Sequence, residues 1–291
     1  MEKIKNYFKL LRVNHYLKNF LVLLPLVFSS ELLNLSKLKT TVLGFIAFCL
    51  TASIVYIIND LKDIENDKKH PVKKNRPFAS GKVSKVEGII ILIVLTLIVL
   101  GLSYFIGFEH WIALLLLGVY LLLNVFYSFG LKNVPIVDIV ILVSGFLIRV
   151  VYGAQIIDLT VSNWMYLTVI SASFYMGLGK RRNEIIKQGD KSRKVLKYYT
   201  KEFLDKNMYV FLGLCIVFYA LWAVDPTTIN KLGNNLMIWT VPFIMVILMK
   251  YSLNVEGNSF GDPVDVILHD KSLLAIGAIY ALSMFGIIYI L

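Results

Sequence analysis

Three aspartates stand at i, i+3 and i+7 in the stretch Asn59-Asp60-Leu61-Lys62-Asp63-Ile64-Glu65-Asn66-Asp67. On a continuing helix, Asp60, Asp63 and Asp67 line one face. Three carboxylates on one stripe repel one another unless a cation neutralises them. Hard oxygen donors suit Mg2+, which keeps several waters and binds through one or two carboxylates together with substrate phosphates. The alternating ligands and central glycine of a calcium loop are missing. The alternative is an acidic helix end in water, balanced by Lys62, Lys68 and Lys69.

Basic groups follow at once in His70-Pro71-Val72-Lys73-Lys74-Asn75-Arg76-Pro77, where two prolines restrict the turn. A metal-binding stripe beside Lys74 and Arg76 makes a cradle for a diphosphate: the metal bridges oxygens and the basic side chains neutralise the rest. Lys18-Asn19, Tyr127 with Lys132, and Lys180-Arg181-Arg182 stand at the ends of other apolar segments. Each is a second phosphate anchor or an ordinary snorkelling cation. Arg149 falls inside an apolar run, where a cation faces the protein interior and pairs with something. Asp262, Asp265 and Asp270, in Gly261-Asp262-Pro263-Val264-Asp265-Val266-Ile267-Leu268-His269-Asp270, either cap a helix or touch substrate. His15, His70, His110 and His269 lack zinc spacing, and no nucleophile elbow or Walker loop occurs.

The elements that must position these residues are membrane helices. Of 291 residues, 57% are hydrophobic and 17% charged, with a mean hydropathy of +0.71. Soluble chains carry about 25% charged residues. Gly88–Gly107 and Trp111–Phe129 are long enough to cross a hydrocarbon core of about 30 Å. Nine candidate spans are read at roughly 17–33, 40–58, 87–107, 111–129, 136–156, 164–179, 207–224, 237–254 and 273–291. The expected fold is all-α: a polytopic bundle of about nine transmembrane helices, residues 1–291 forming a single intramembrane domain. The first span contains Pro25 and no cleavage site, so it reads as a retained helix rather than a signal peptide. Cys49 and Cys215 lie inside spans and read as small buried hydrophobes.

Charge orients the bundle. Residues 1–18, 59–86, 130–135, 180–206 and 250–271 hold 5, 8, 1, 10 and 2 of the 30 Lys and Arg, and the alternate connections hold only Lys37, Lys39 and Lys231. That bias predicts a cytoplasmic N-terminus, an outside C-terminus and a site on the cytoplasmic face of the plasma membrane. It also accounts for the net charge of +11 without a nucleic-acid partner.

The sequence Asn-Asp-x-x-Asp-x-x-x-Asp after the second span resembles the UbiA-type intramembrane prenyltransferase superfamily. From about Arg12 to Asp270 the chain looks most like its decaprenyl-phosphate phosphoribosyltransferase branch. The matching stretches are His15-Tyr16-Leu17-Lys18-Asn19, Asn59 through Arg76-Pro77, Tyr127-Ser128-Phe129-Gly130-Leu131-Lys132, Gly145-Phe146-Leu147-Ile148-Arg149, Gly179-Lys180-Arg181-Arg182-Asn183-Glu184 and Gly261-Asp262-Pro263. The resemblance implies a 5-phosphoribosyl 1-diphosphate donor and a polyprenyl phosphate acceptor, with pyrophosphate leaving and Mg2+ as cofactor. It implies that Asn59, Asp60, Asp63 and Asp67 hold the metal, Asp60 and Asp63 being catalytic. Lys18, Lys74, Arg76, Tyr127, Lys132, Lys180 and Arg181 would bind phosphate, and Asn19, Arg149 and Glu184 belong to the same substrate-binding set. Aromatic-acceptor members carry a second aspartate-rich motif after the sixth span. Lys180 through Glu184 stands there instead, which suits a donor bearing another phosphate. Prenyl transfer to an aromatic or other lipid acceptor is the alternative. A solute transporter fits less well, since the spans other than that of Arg149 are nearly uncharged.

Overall fold

The computed structural model describes residues 2–69, 73–188, 193–257 and 263–291. All regular structure among them is helical. In chain order the α-helices are α1 (Glu2–Leu11), α2 (Leu24–Phe28), α3 (Leu35–Lys62), α4 (Ile64–Lys69), α5 (Lys85–Ile106), α6 (Trp111–Phe129), α7 (Val137–Gln155), α8 (Asn163–Gln188), α9 (Lys201–Val224), α10 (Pro226–Leu232), α11 (Val241–Glu256), α12 (Pro263–His269) and α13 (Lys271–Tyr289). Seven are long and apolar enough to cross a membrane: α3, α5, α6, α7, α9, α13, and α11 with the 3-10 turn before it, Leu236–Glu256. The protein is a multi-pass membrane protein.

The other two candidate spans depart from the apolar α-helix for separate reasons. Val13–Leu23 winds as a 3-10 helix before α2, whose Pro25 has no N–H to give the helix ladder. Because a 3-10 helix rises about 2.0 Å per residue, Val13–Phe28 still reaches about 30 Å. Helix α8 is long enough, but Lys180 through Glu184 make its last turns polar.

The chain divides into two compact units: Met1–Gly130 with Ile148–Leu159, and Leu131–Leu147 with Thr160–Leu291. In the first, α3 is the central helix, starting on the Asn34 side chain, which accepts from the N–H groups of Ser36 and Lys37. Phe48, Ala52 and Ile57 on α3 form its core with Leu10, Val22, Leu26, Leu117 and Tyr152. Helix α5 begins on a capping box, with Ser84 and Glu87 each bonded to the other's backbone N–H. Its Ile89, Ile90, Ile93, Leu97 and Phe105 are exposed, as a lipid-facing side requires.

Gly153 of α7 lets that helix close on the 3-10 segment, since a β-carbon there would collide with the Val22 carbonyl oxygen. Backbone cannot swing aside as a side chain does. Gly153→Ala is therefore expected to cost about 1–3 kcal/mol by overpacking, read as a lower thermal midpoint of the purified protein.

In the second unit α8 and α9 pair, with Phe174 and Phe211 stacked at 4.5 Å. Their core holds Ile139, Tyr175, Leu178, Leu196, Leu204, Met208 and Val255. Asp270 caps α13: its side chain accepts from Leu273 N–H at 2.9 Å and Asn254 Nδ2 at 2.7 Å, and lies 3.0 Å from Lys250 Nζ. These contacts hold its carboxyl down to about 2, the Leu273 N–H contributing most. A depressed carboxyl contributes stability that is present above its unfolded value near 4 and lost as pH falls through 2. The thermal midpoint of wild type should exceed that of Asp270→Asn near pH 6, and the gap should shrink toward about pH 2.5. Capping is thus the role the structure gives Asp270. Asp262 lies outside the described residues, and the side chain of Asp265 is not described.

Candidate active site

The acidic stripe is bent, not straight. Helix α3 ends at Lys62, Asp63 takes φ −93° and ψ 10°, and α4 resumes at Ile64. Backbone bonds run through the bend, Asp63 N–H to Asn59 O at 3.0 Å and Asp67 N–H to Asp63 O at 2.8 Å, so Asp60 and Asp67 stay on one side. Both are buried, at 2% and 4% exposure. Asn59 and Asp63 are half-buried.

Burial excludes the solvated helix end. Lys68 pairs with exposed Glu65 at 2.9 Å, and Lys62 reaches the Ser128 carbonyl oxygen at 2.7 Å and lies over the Phe129 ring. The acid pair instead carries guanidinium partners. Arg76 Nη1 donates to Asp67 Oδ2 at 2.7 Å and to Asp60 Oδ1 at 3.1 Å, and Arg12 Nη2 donates to Asp60 Oδ1 at 2.5 Å. Like charges brought this close need such compensation.

Arg76 is fixed by the fold of its loop. The 3-10 turn Lys73–Asn75 delivers it, with Arg76 N–H on Lys73 O at 2.9 Å, and Val83 N–H bonds Pro77 O at 3.1 Å. Phe78 is buried over Gly88 of α5, where a β-carbon would strike its ring. His70, Pro71 and Val72 lie outside the described residues, and Lys74 is exposed.

Arg12 was not singled out from the sequence. Forty-eight residues separate it from Asp60, and the only local signal is a cation entering a span.

Among the described residues no three His, Cys, Asp or Glu side chains gather as a closed metal cage. The donor chemistry nevertheless fits Mg2+: two buried carboxylates converge on one point, and this ion takes its remaining ligands from water and phosphate.

Arg149 is also in the first unit, buried, with Nε donating to Asn19 Oδ1 at 2.8 Å and Nη2 to Tyr120 OH at 3.2 Å. Its guanidinium lies over the rings of Phe48 and Tyr120. Asn19 turns its amide to Cys49 Sγ at 3.1 Å. The structure therefore joins Asn19 and Arg149 to each other, as a buried polar pair. Lys18 and Tyr127 are half-buried on the Val13–Leu23 helix and in the last turn of α6.

The second unit holds its own charged cluster. Arg181 is 0% exposed, with Nε on Asp138 Oδ2 at 2.6 Å and Nη1 on Glu184 Oε2 at 2.7 Å. Asp138, also 0% exposed, accepts from Tyr199 OH at 2.6 Å, and that hydroxyl accepts from Ile136 N–H. Burial, and then the bond to Asp138, push the Tyr199 hydroxyl well above the usual phenol range. Arg193 Nε lies 3.4 Å from Glu184 Oε2, and Arg182 Nε donates to Asp205 Oδ1 at 2.5 Å. Counting cations alone in the 180–206 connection therefore overstated its positive field, because α7 supplies Asp138 and the connection itself carries Glu184 and Asp205. Lys132 and Lys180 are half-buried.

Residues 22–265 match the UbiA prenyltransferase family. The decaprenyl-phosphate phosphoribosyltransferase of Corynebacterium glutamicum is 32% identical, over 97% of this chain and 86% of that protein. The protein of the same name from Mycolicibacterium smegmatis is 31% identical, over 93% and 88%. Among solved structures, a UbiA homologue from Archaeoglobus fulgidus bound to DMAPP and Mg2+ superposes with a TM-score of 0.72, covering 98% of this chain and all of that one. Its sequence identity is 17%, so that likeness concerns the fold. A family match along most of the sequence, on a helical membrane protein about a third identical to named phosphoribosyltransferases over nearly its whole length, establishes that this chain is a transferase belonging to the UbiA prenyltransferase family.

Proposed function

We propose that the chain transfers a 5-phosphoribosyl group from 5-phosphoribosyl 1-diphosphate to a polyprenyl phosphate, releasing pyrophosphate. In this reading residues 1–291 work as one transferase with nine spans and a cytoplasmic N-terminus, acting at the cytoplasmic face of the plasma membrane. The observation that carries the choice of donor is the 31–32% identity, along nearly the whole chain, to two proteins named for that activity.

A lipid phosphate oxygen attacks the anomeric carbon of the ribose as the bond from that carbon to the diphosphate oxygen breaks. The attacking oxygen is already anionic, so no protein base is needed. Asn59, Asp60, Asp63 and Asp67 would hold Mg2+, which when bound stabilises negative charge on the leaving diphosphate. Arg76, anchored by its loop beside the acid pair, is placed to neutralise a phosphate oxygen, with Lys18, Lys74 and Tyr127 as further phosphate ligands. Asn19 and Arg149, which bond each other, are the remaining proposed members of the substrate-binding set. In the second unit Lys132 and Lys180 are the proposed phosphate ligands. Arg181 and Glu184, bonded to each other, act as a strut that fixes the end of α8.

Purified protein incubated with labelled 5-phosphoribosyl 1-diphosphate, polyprenyl phosphate and Mg2+ should move label into the lipid extract. If the lipid stays unlabelled while a prenyl diphosphate is consumed against an aromatic acceptor, the chain is a prenyltransferase proper.

A further inference from the structure

Asp60 and Asp67 take their counter-charge from the chain itself. One oxygen of Asp60 accepts from both Arg12 and Arg76, and the same Arg76 nitrogen reaches Asp67. The two carboxylate oxygens thus lie within roughly 6 Å of each other, inside the range where like charges interact strongly. Two anions and two cations balance there, with both carboxylates buried and the guanidiniums partly exposed at 20% and 25%.

Arg12 is held there on three counts. Its guanidinium lies over the Tyr56 ring, 4.6 Å from the centroid. It donates to Asp60 at 2.5 Å. Its backbone sits in the left-handed region at φ 52° and ψ 47°, a conformation that a residue with a β-carbon adopts only when its surroundings impose it.

A divalent cation entering by itself would compete with both guanidiniums for the same oxygens and add two positive charges beside theirs. A diphosphate arriving with the metal removes that conflict, because its oxygens can take up both metal and guanidinium. We infer that Arg12 and Arg76 form a counter-ion latch that keeps the aspartate pair closed to bare divalent cation, so that metal and diphosphate load together. The inference rests on the metal and diphosphate reading above but not on which group the diphosphate carries.

Equilibrium dialysis of the full-length protein in detergent against radioactive Mn2+, with and without inorganic pyrophosphate, tests it. Wild type should retain little Mn2+ alone and about one equivalent with pyrophosphate. Arg12→Gln should bind Mn2+ alone on the order of tenfold more tightly than wild type, having lost a charge-assisted bond to the ligand oxygen. Arg12→Gly, which adopts the left-handed backbone without strain, should do the same even if the glutamine variant folds poorly. Arg12→Lys, which keeps the charge, should stay closed. Equal Mn2+ retention by wild type with and without pyrophosphate, or no gain in either neutral variant, overturns the latch. Absence of Mn2+ under every condition overturns the latch and the metal assignment together. A latch that behaves as described in a protein that does not label polyprenyl phosphate sinks the donor assignment alone.

Discussion

Asp60→Asn should lower Mg2+-dependent turnover by about 100- to 1,000-fold, the loss typical of removing one preorganised electrostatic contact from a closed site. The substitution preserves shape. An asparagine oxygen at the Oδ1 position can still accept from Arg12 and Arg76, so the end of α3 should keep its place. What disappears is the negative charge, leaving two guanidiniums facing one carboxylate, Asp67. Such a site binds a divalent cation poorly. The measurement is kcat at saturating donor over a Mg2+ titration, with a size-exclusion profile to confirm the fold. Glu65→Gln is the matched control, because Glu65 is exposed and pairs only with Lys68 among the ion pairs described. Activity within a few-fold of wild type in Asp60→Asn would remove the metal role from the stripe.

Arg181→Met should destabilise the protein by about 3–5 kcal/mol, the usual consequence of stranding a buried charge. Asp138 would keep only the Tyr199 hydroxyl among its described partners, in a position with no access to water. At about 2–4 °C per kcal/mol for a chain of this class, the thermal midpoint should fall by roughly 10 °C. Arg181→Lys should recover only part of it, since one ammonium cannot serve Asp138 and Glu184 in the fork geometry of a guanidinium. Combining Arg181→Met with Asp138→Asn should cost less than the two single changes summed, which a double-mutant cycle reads directly. A midpoint unchanged in Arg181→Met, with turnover lost, would instead give Arg181 back to the substrate phosphates.

These two residues mark the boundary of what sequence alone can carry. The membrane class is a sum over residues, and the apolar runs that became α5 and α6 are local in the chain, so both were legible. The same holds for the acidic stripe: Asp60 and Asp67 are two helical turns apart, and bonds through the bend at Asp63 keep their register. Local, too, was the expectation that Arg149 pairs inside the protein.

The identity of partners was not. Asn19 lies 130 residues from Arg149, Arg12 lies 48 from Asp60, and Asp138 lies 43 from Arg181 and 61 from Tyr199. Hydropathy and spacing say that a buried charge needs compensation, not which distant segment supplies it. Nor did the sequence show that Gly153, far along the chain, lets α7 approach the backbone of Val13–Leu23. The sequence by itself therefore determined a membrane helix protein with an aspartate stripe beside basic turns. Tertiary structure decided that Arg12 and Arg76 pair with that stripe and that Arg181 is buried against Asp138 and Glu184, because a charge taken out of water is satisfied only by groups the whole fold brings to it.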